Sequence, residues 1–330
     1  MSFNEFILRE QYVKVRGLGD RLALMKNVIN WKRFRPIVAS VFYDDKVKGG
    51  RPHTDEIVVV KALVLQSMYG LSDEELEFQC NDRLSFRAFL DFPEKVPDFT
   101  TIWNIRERLK EKGKDEKIWN ELQNQLDQRG FKIAKGVIQD ASFIEAERGR
   151  ARTGREKKAE KEGKKIEYTE KQKAHMDKDG SYSVKHGQVH YGYKMHMKTD
   201  VKHGLIREVE TTTAKDHDNT IDILDEDDGK AYRDKGYCFT PVPDGVKDMT
   251  SQRATRGHPL TKKQKERNTQ IAKKRSPGER PFAVVKEVFH AGVIFVTTLA
   301  RVHIKNMFTC FGFNLYQLVT LERRRIARAV

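Results

Sequence analysis

Apolar positions along the first third of the chain recur at helical spacing. Ile57, Val60, Leu63, Val64 and Met68 fall at three- and four-residue steps, with Lys61 on the same face, predicting a helix from Thr54 that Gly70 ends. Ser72-Asp-Glu-Glu75 has the form of a capping box and predicts a second helix through Cys80. Leu84, Phe86, Phe89 and Leu90 extend a helical core. After Pro97-Asp98, TTIWNIRERLKEKGK predicts a helix with Ile102 and Ile105 on one side and Arg106, Arg108, Lys110 and Lys112 on much of the rest. That basic helix is compatible with a helix-turn-helix-like contact to DNA and equally with a solvated face, since no motif fixes a groove contact. Short helices around Phe6, Ile7, Leu18, Leu22, Leu24 and Trp31 precede these elements and close at Gly49-Gly50-Arg-Pro52. Residues 1–130 thus read as an all-helical domain.

The pattern changes at Lys135. Gly136 to Ile144 is a short apolar strand interrupted by Asp140. Val189 to Lys198 and Gly204 to Thr211 read as two strands paired through a turn at Asp200–Gly204, and a helix is expected after Asp218. Ala231 to Tyr237 is a very short strand or strand end carrying Asp234. Pro277-Gly278 reads as a turn. Beyond Pro281, Phe282, Val285 and Phe289 share one helical face, which puts Glu279 at or just before a helix start. Val293 to Leu321 is apolar and mostly helical, ending in the basic Glu322-Arg-Arg-Arg325. Residues 131–330 read as a mixed α/β unit with charged insertions near 147–188 and 239–274. Residues 147–175 in particular have the composition of a mobile loop or solvated arm.

Composition narrows the partner. The 330-residue chain carries a net charge of +15 and a pI near 9.5, with Lys and Arg spread along its whole length. Distributed positive charge points to nucleic acid before a local membrane anchor. Cys80, Cys238 and Cys310 are isolated thiols without C-x-x-C spacing, which argues for a reducing compartment and against a cysteine zinc site. The N-terminal residues MSFNEFILREQYVKVRG lack the form of a signal peptide, and no run reaches the roughly 18–20 apolar residues of a membrane span. A cytoplasmic protein, nucleoid-associated when bound to DNA, is expected.

Three acids stand out by context: Asp140 on the first strand, Asp234 at the end of a late strand and Glu279 by a helix start. Each has a plain alternative, as a turn, a cap or a complement to the helix dipole worth about 0.3–1 kcal/mol. If they converge, two carboxylates about 4 Å apart repel by roughly 4 kcal/mol at an effective dielectric near 20. Three would take up protons or require a cation, and hard oxygen ligands favour Mg²⁺ or Mn²⁺. Two such ions support in-line phosphoryl transfer. A histidine–aspartate metal site from His190, His196, His217 and neighbouring acids is a rival, although strand histidines are more often packed or hydrogen-bonded.

The same stretches resemble the DDE transposases of prokaryotic insertion sequences, in the insertion-sequence-five group, over most of the chain. GRPHTDEIVVVKALVLQSMYGLSDEELEFQ is similar to that group's helical N-terminal domain. VIQDASFIEA, HYGYKMHMKTD and RDKGY resemble its first-Asp strand, second strand and second-Asp motif. RSPGERPFAVVKEVF, RVHIKNMF and FNLYQL resemble its glutamate segment and C-terminal region. The resemblance implies an RNase H-like mixed sheet flanked by helices and a divalent-metal triad of Asp140, Asp234 and Glu279. Its R-x3-E-x6-K signature falls on Arg275, Glu279 and Lys286, whose cations would contact end DNA. The tyrosine that often precedes this signature by three residues is replaced by Ala272. Lys273, Lys274, Arg280, Arg253 and Arg256 are further candidate DNA contacts. The implied activity is cleavage at the element's terminal inverted repeats and joining of the freed 3′-hydroxyl to target DNA, by a homodimer on double-stranded DNA. The rivals are a DNA-binding relic or repressor without catalysis, and a metal-dependent nuclease that never joins strands.

Overall fold

A computed structural model describes residues 3–42, 53–147, 153–164, 166–169, 171, 177–185 and 187–327. Residues 43–52, the expected close of the N-terminal helices, and 148–152, 165, 170 and 172–175 of the charged 147–175 run lie outside the described residues; within that run Gly154–Lys161 forms a helix where the composition predicts a loop or arm.

Among the described residues, eight α-helices precede the first strand: α1 (Phe3–Gly17), α2 (Arg21–Asn27), α3 (Arg35–Phe42), α4 (Glu56–Tyr69), α5 (Asp73–Asp82), α6 (Leu84–Phe89), α7 (Phe99–Glu111) and α8 (Lys114–Gln128). Local chemistry sets several of their ends. The Asp55 side chain accepts from the amides of Ile57 and Val58 to start α4, and Gly70 closes it in the left-handed conformation. Only half of the expected box at Ser72 forms: its hydroxyl accepts from the Glu75 amide, while the Glu75 carboxylate takes the Gln79 amide instead. Helix α4 is buried all round, so Lys61 on it is 1 % exposed. Its ammonium pairs with Asp91 and stands 5.4 Å from the Trp31 ring. Arg106 on α7 is likewise buried, in a two-bonded pair with Asp73, and presents no charge to solvent.

The sheet contains β1 (Val137–Ala146), β2 (Ser181–Lys185), β3 (Gln188–Asp200), β4 (Ile206–Thr213), β5 (Lys230–Arg233), β6 (Lys247–Thr250) and β7 (Val293–Ile294). Its central order is β4–β3–β1–β5–β6, with β3 antiparallel to β1 and β4, and β5 and β6 parallel to β1. The short β2 pairs with the start of β3, and β7 with the end of β1. One antiparallel side and one parallel side meeting at β1, flanked by helices, is the RNase H-like arrangement. The remaining helices are α9 (Gly154–Lys161), α10 (Lys262–Arg275), α11 (Glu279–Ala283) and α12 (Leu299–Ala327). The cationic stretch 239–274 therefore carries both an edge strand, β6, and a helix that packs on the sheet. The helix expected after Asp218 is a single 3₁₀ turn, Asp218–Thr220, followed by irregular chain as far as β5.

One hydrophobic cluster runs from Leu22 in α2 to Val319 in α12 and includes Tyr193, Met195 and Met197 of β3. Helix α12 joins the two parts, packing on α4 and on β4. Its buried Asn314 both accepts from the Ile206 amide and donates to the Ile206 carbonyl, each at 2.8 Å, so a side chain completes the hydrogen bonding of the edge strand. Trp119 and Gln123 of α8 donate to the carbonyls of Arg207 and Ile206 on the same edge. No helix among the described residues is long and apolar enough to cross a membrane.

Candidate active site

Placement of the first two acids begins at Gly136. It adopts φ +96°, and a Cβ there would lie 2.5 Å from the Lys230 carbonyl oxygen, so only glycine lets β1 enter this close to β5. The resulting parallel register sets Val137 beside Ala231 and Ile138 beside Tyr232. Three residues on from Val137 stands Asp140, within β1, and three on from Ala231 stands Asp234, the first residue past β5, near enough for its charge to bear on the Asp140 carboxyl. Alternation along the strands puts Asp140 on the face of Ile138 and Asp234 on that of Tyr232. Ile271 of α10 packs against both Ile138 and Tyr232, which identifies this as the face covered by α10. Asp234 ends β5 and caps the 3₁₀ turn Lys235–Tyr237 by accepting from the Gly236 amide at 2.7 Å.

Burial pushes the Asp140 carboxyl above its ordinary range; the Arg275 guanidinium opposes this, and the charge of Asp234 adds to it. Arg275, at the end of α10, donates to Asp140 at 2.9 Å. Tyr237 is 2 % exposed, and its hydroxyl has no hydrogen-bond partner among the described residues. Burial, followed by the charges of Asp218, Asp140 and Asp234, raises its pKa. Tyr237 thus belongs to the acidic site, a role its place in the RDKGY motif alone did not reveal.

Glu279 stands at a helix start, as expected, but the chain that leads to it differs from the expectation. Pro277-Gly278 does not break the chain: Arg275, Ser276, Gly278 and Glu279 all have right-handed helical dihedrals, so α10 passes through a 3₁₀ turn (Ser276–Gly278) directly into α11. Proline is tolerated there because the first residues of a new turn have no intrahelical acceptor for an N–H. Glu279 is exposed at the start of α11. The preceding Gly278 is buried against Ile138, where an added Cβ would lie 2.7 Å from the Ile138 methyl. Glu279 is therefore one residue away from the strand that carries Asp140.

Lys286 is half-buried, and its neighbouring charges are Glu145, Glu287 and Lys185; burial, the largest influence, lowers its pKa. Glu145 lies five residues beyond Asp140 on β1, about 16 Å along the strand, so Lys286 and Arg275 serve opposite ends of that strand. Lys273, Lys274, Arg280, Arg253 and Arg256 are exposed.

The histidines do not gather. His196 is fully buried, bonded to Thr212 at 2.8 Å, and held neutral by burial with its pKa lowered to about 4. By register it pairs with Ala141, which puts it on the sheet face opposite Asp140. His190 stacks on Phe143 at 4.2 Å and contacts Glu145. Among the described residues, the group whose ligand atoms already lie within 4.8 Å of one another is Asp225, Asp227 and Asp228. It stands before β5, at the strand end remote from Asp234, and Lys198 pairs with Asp225 and Asp228. The donor set at Asp140 and Asp234 fits a divalent cation on chemical grounds. The charge of Asp234 adds to the proton affinity of the Asp140 carboxyl, and a cation held between hard carboxylate oxygens relieves that repulsion.

Residues 132–315, more than half of the chain, match the family model described as Transposase DDE domain. Residues 9–108 match the model described as Transposase domain (DUF772). No solved structure matches the chain.

Proposed function

The chain belongs to the DDE transposases of insertion sequences, and from that premise we propose that it cleaves the ends of its element and joins the freed 3′-hydroxyl to target DNA, using Asp140, Asp234 and Glu279. DDE transposases are metal-dependent polynucleotidyl transferases that act on DNA. The observation that supports the assignment of residues is the nearness of Asp140, on β1, to Asp234, just past the end of the parallel neighbour β5, with the Arg275 guanidinium bonded to Asp140.

In this reading Asp140, Asp234 and Glu279 would hold the divalent cations through their carboxylate oxygens. A divalent cation held there, Mg²⁺ or Mn²⁺, supplies Lewis acidity to the phosphoryl oxygens and makes water or a 3′-hydroxyl a better nucleophile. In the first reaction a water oxygen bonds to phosphorus while the bond to the 3′-oxygen breaks, and that oxygen leaves as a protonated hydroxyl. In the second, this 3′-oxygen bonds to a target phosphorus and the target's own 3′-oxygen departs. Arg275 offsets the charge of Asp140 before substrate binds and contacts end DNA afterwards, with Lys286, Arg280, Lys273, Lys274, Arg253 and Arg256 along the backbone. The helices of residues 1–130 grip the element's terminal repeat, residues 131–330 do the chemistry, and two copies pair two ends on cytoplasmic DNA.

The test is a strand-transfer assay with a labelled duplex of the element's end, a plasmid target and Mg²⁺. Label joined covalently to plasmid supports the proposal. Nicks without joined product would indicate a nuclease, and retarded but uncut duplex a DNA-binding relic or repressor.

A further inference from the structure

Five residues after Asp234, the chain makes a turn whose chemistry is inverted. The Thr240 amide donates to the Tyr237 carbonyl at 3.1 Å, and Cys238 has φ −55° and ψ 134°. Phe239 follows with φ +73°, completing a type II turn. Position three of such a turn calls for glycine or asparagine, because a Cβ there crowds the backbone. A phenylalanine at that position is strained, and its ring is 93 % exposed. Phe92, also at positive φ, is by contrast 7 % exposed and packs in the core. The ring of Phe239 therefore brings neither turn propensity nor burial to the fold.

The turn is nonetheless firmly held. Arg233, 1 % exposed, donates to the carbonyls of Thr240 at 2.8 Å and Pro241 at 3.3 Å, and is itself fixed by the Thr250 hydroxyl at 2.9 Å. The Cys238 thiol donates to the Ser251 carbonyl at 3.1 Å. Phe239 borders a cavity of about 330 Å³ shared with Arg253, Gln252, Gln264 and Arg267. An apolar ring on a rigid, strained mount, sharing a cavity with Arg253 and Arg267 and five residues along the chain from Asp234, is the chemistry that stacks on a nucleobase. Five residues reach at most roughly 18 Å. The ring can thus meet a base within about five steps of a phosphate held at Asp234, at 3.4 Å per step.

We propose that Phe239 is a stacking residue for a base of the DNA substrate, unstacking it from its neighbour near the cleaved phosphate. The proposal rests on the transposase reading above, and its test is separable from it. Duplexes of the element's end would carry 2-aminopurine at successive positions around the cleavage point and be bound, without divalent cation, by the full chain. The wild type should raise the fluorescence at one or two adjacent positions. Phe239→Gly should abolish that rise and weaken binding about 5- to 100-fold, while melting at a higher temperature because glycine relaxes the turn. Phe239→Trp should keep the rise. An unchanged signal in Phe239→Gly, or no rise at any position with DNA bound, would overturn the proposal. Nicking of the same duplexes in Mg²⁺ by wild type but not by Asp140→Asn tests the underlying reading separately, since unstacking is read without cleavage.

Discussion

Arg275 donates from Nη2 to the Asp140 carboxylate at 2.9 Å, yet burial outweighs that cation and keeps the carboxyl harder to ionise than an ordinary aspartate. A raised carboxyl pKa in the folded chain means that the fold binds this proton more tightly than the unfolded chain does. Its contribution therefore favours folding below the ordinary value of 3.8 and is lost as pH rises through the folded pKa. At neutral pH the ionised Asp140 is a net burden on stability.

Asp140→Asn should consequently melt at a higher temperature than the wild type at pH 7 in the absence of divalent cation. The difference should shrink on acidification towards the ordinary carboxylate range. Added Mg²⁺ should raise the melting temperature of the wild type more than that of the variant. Calorimetric scans across pH check both, and a variant that melts lower at pH 7 would contradict the burial argument.

Gly278 lets the α10–α11 junction lie on Ile138 and so sets how near Glu279 comes to β1. Gly278→Ala should lift that junction and reduce nicking about tenfold or more, as misplacing a reacting group by about 1 Å can cost roughly 100-fold. Its helical dihedrals accept alanine, so the fold should survive. Ile138→Ala in the same chain should make room for the new methyl and restore much of the activity. Rates for the single and double variants check this, and equal loss in both would show that the contact does not position Glu279.

Lys273 and Lys274 lie in the last turn of α10 and are exposed. If each neutralises one DNA phosphate, replacing both by alanine should lower the slope of log K against log salt by about 1.8, at roughly 0.9 per phosphate. Affinity should fall evenly across sequences, since phosphate contacts carry no base information. Titrations at several salt concentrations measure the slope, and an unchanged slope would remove these lysines from the interface.

The parts of the fold with strong periodicity were legible in the chain. Helix α4, expected from Thr54 and found capped by Asp55, with its Gly70 stop, the β3–β4 hairpin and the strand carrying Asp140 all follow from apolar spacing and turn residues. Helix α10 did not stand out as an element because Ile271 is its one buried residue, so no apolar stripe marks it. Its capping box, Thr261 with Gln264, was visible but lay inside a run of lysines. Pro277-Gly278 looked like a break because those residues usually make one. Here the buried contact of Gly278 with Ile138 keeps the chain helical, and no local rule encodes a partner 140 positions away. The identity of the three acids came from family resemblance. How near Asp140 stands to Asp234 depends on the β1–β5 register, which is set where Gly136 closely approaches Lys230.

The most direct test of the account replaces each acid separately by its neutral isostere, as Asp140→Asn, Asp234→Asn and Glu279→Gln. Each folded variant is scored for Mg²⁺-dependent nicking of an element-end duplex that it still binds. The account predicts retained binding and a loss of at least about 100-fold in nicking for all three, whereas nicking near the wild-type rate in any one of them would contradict it.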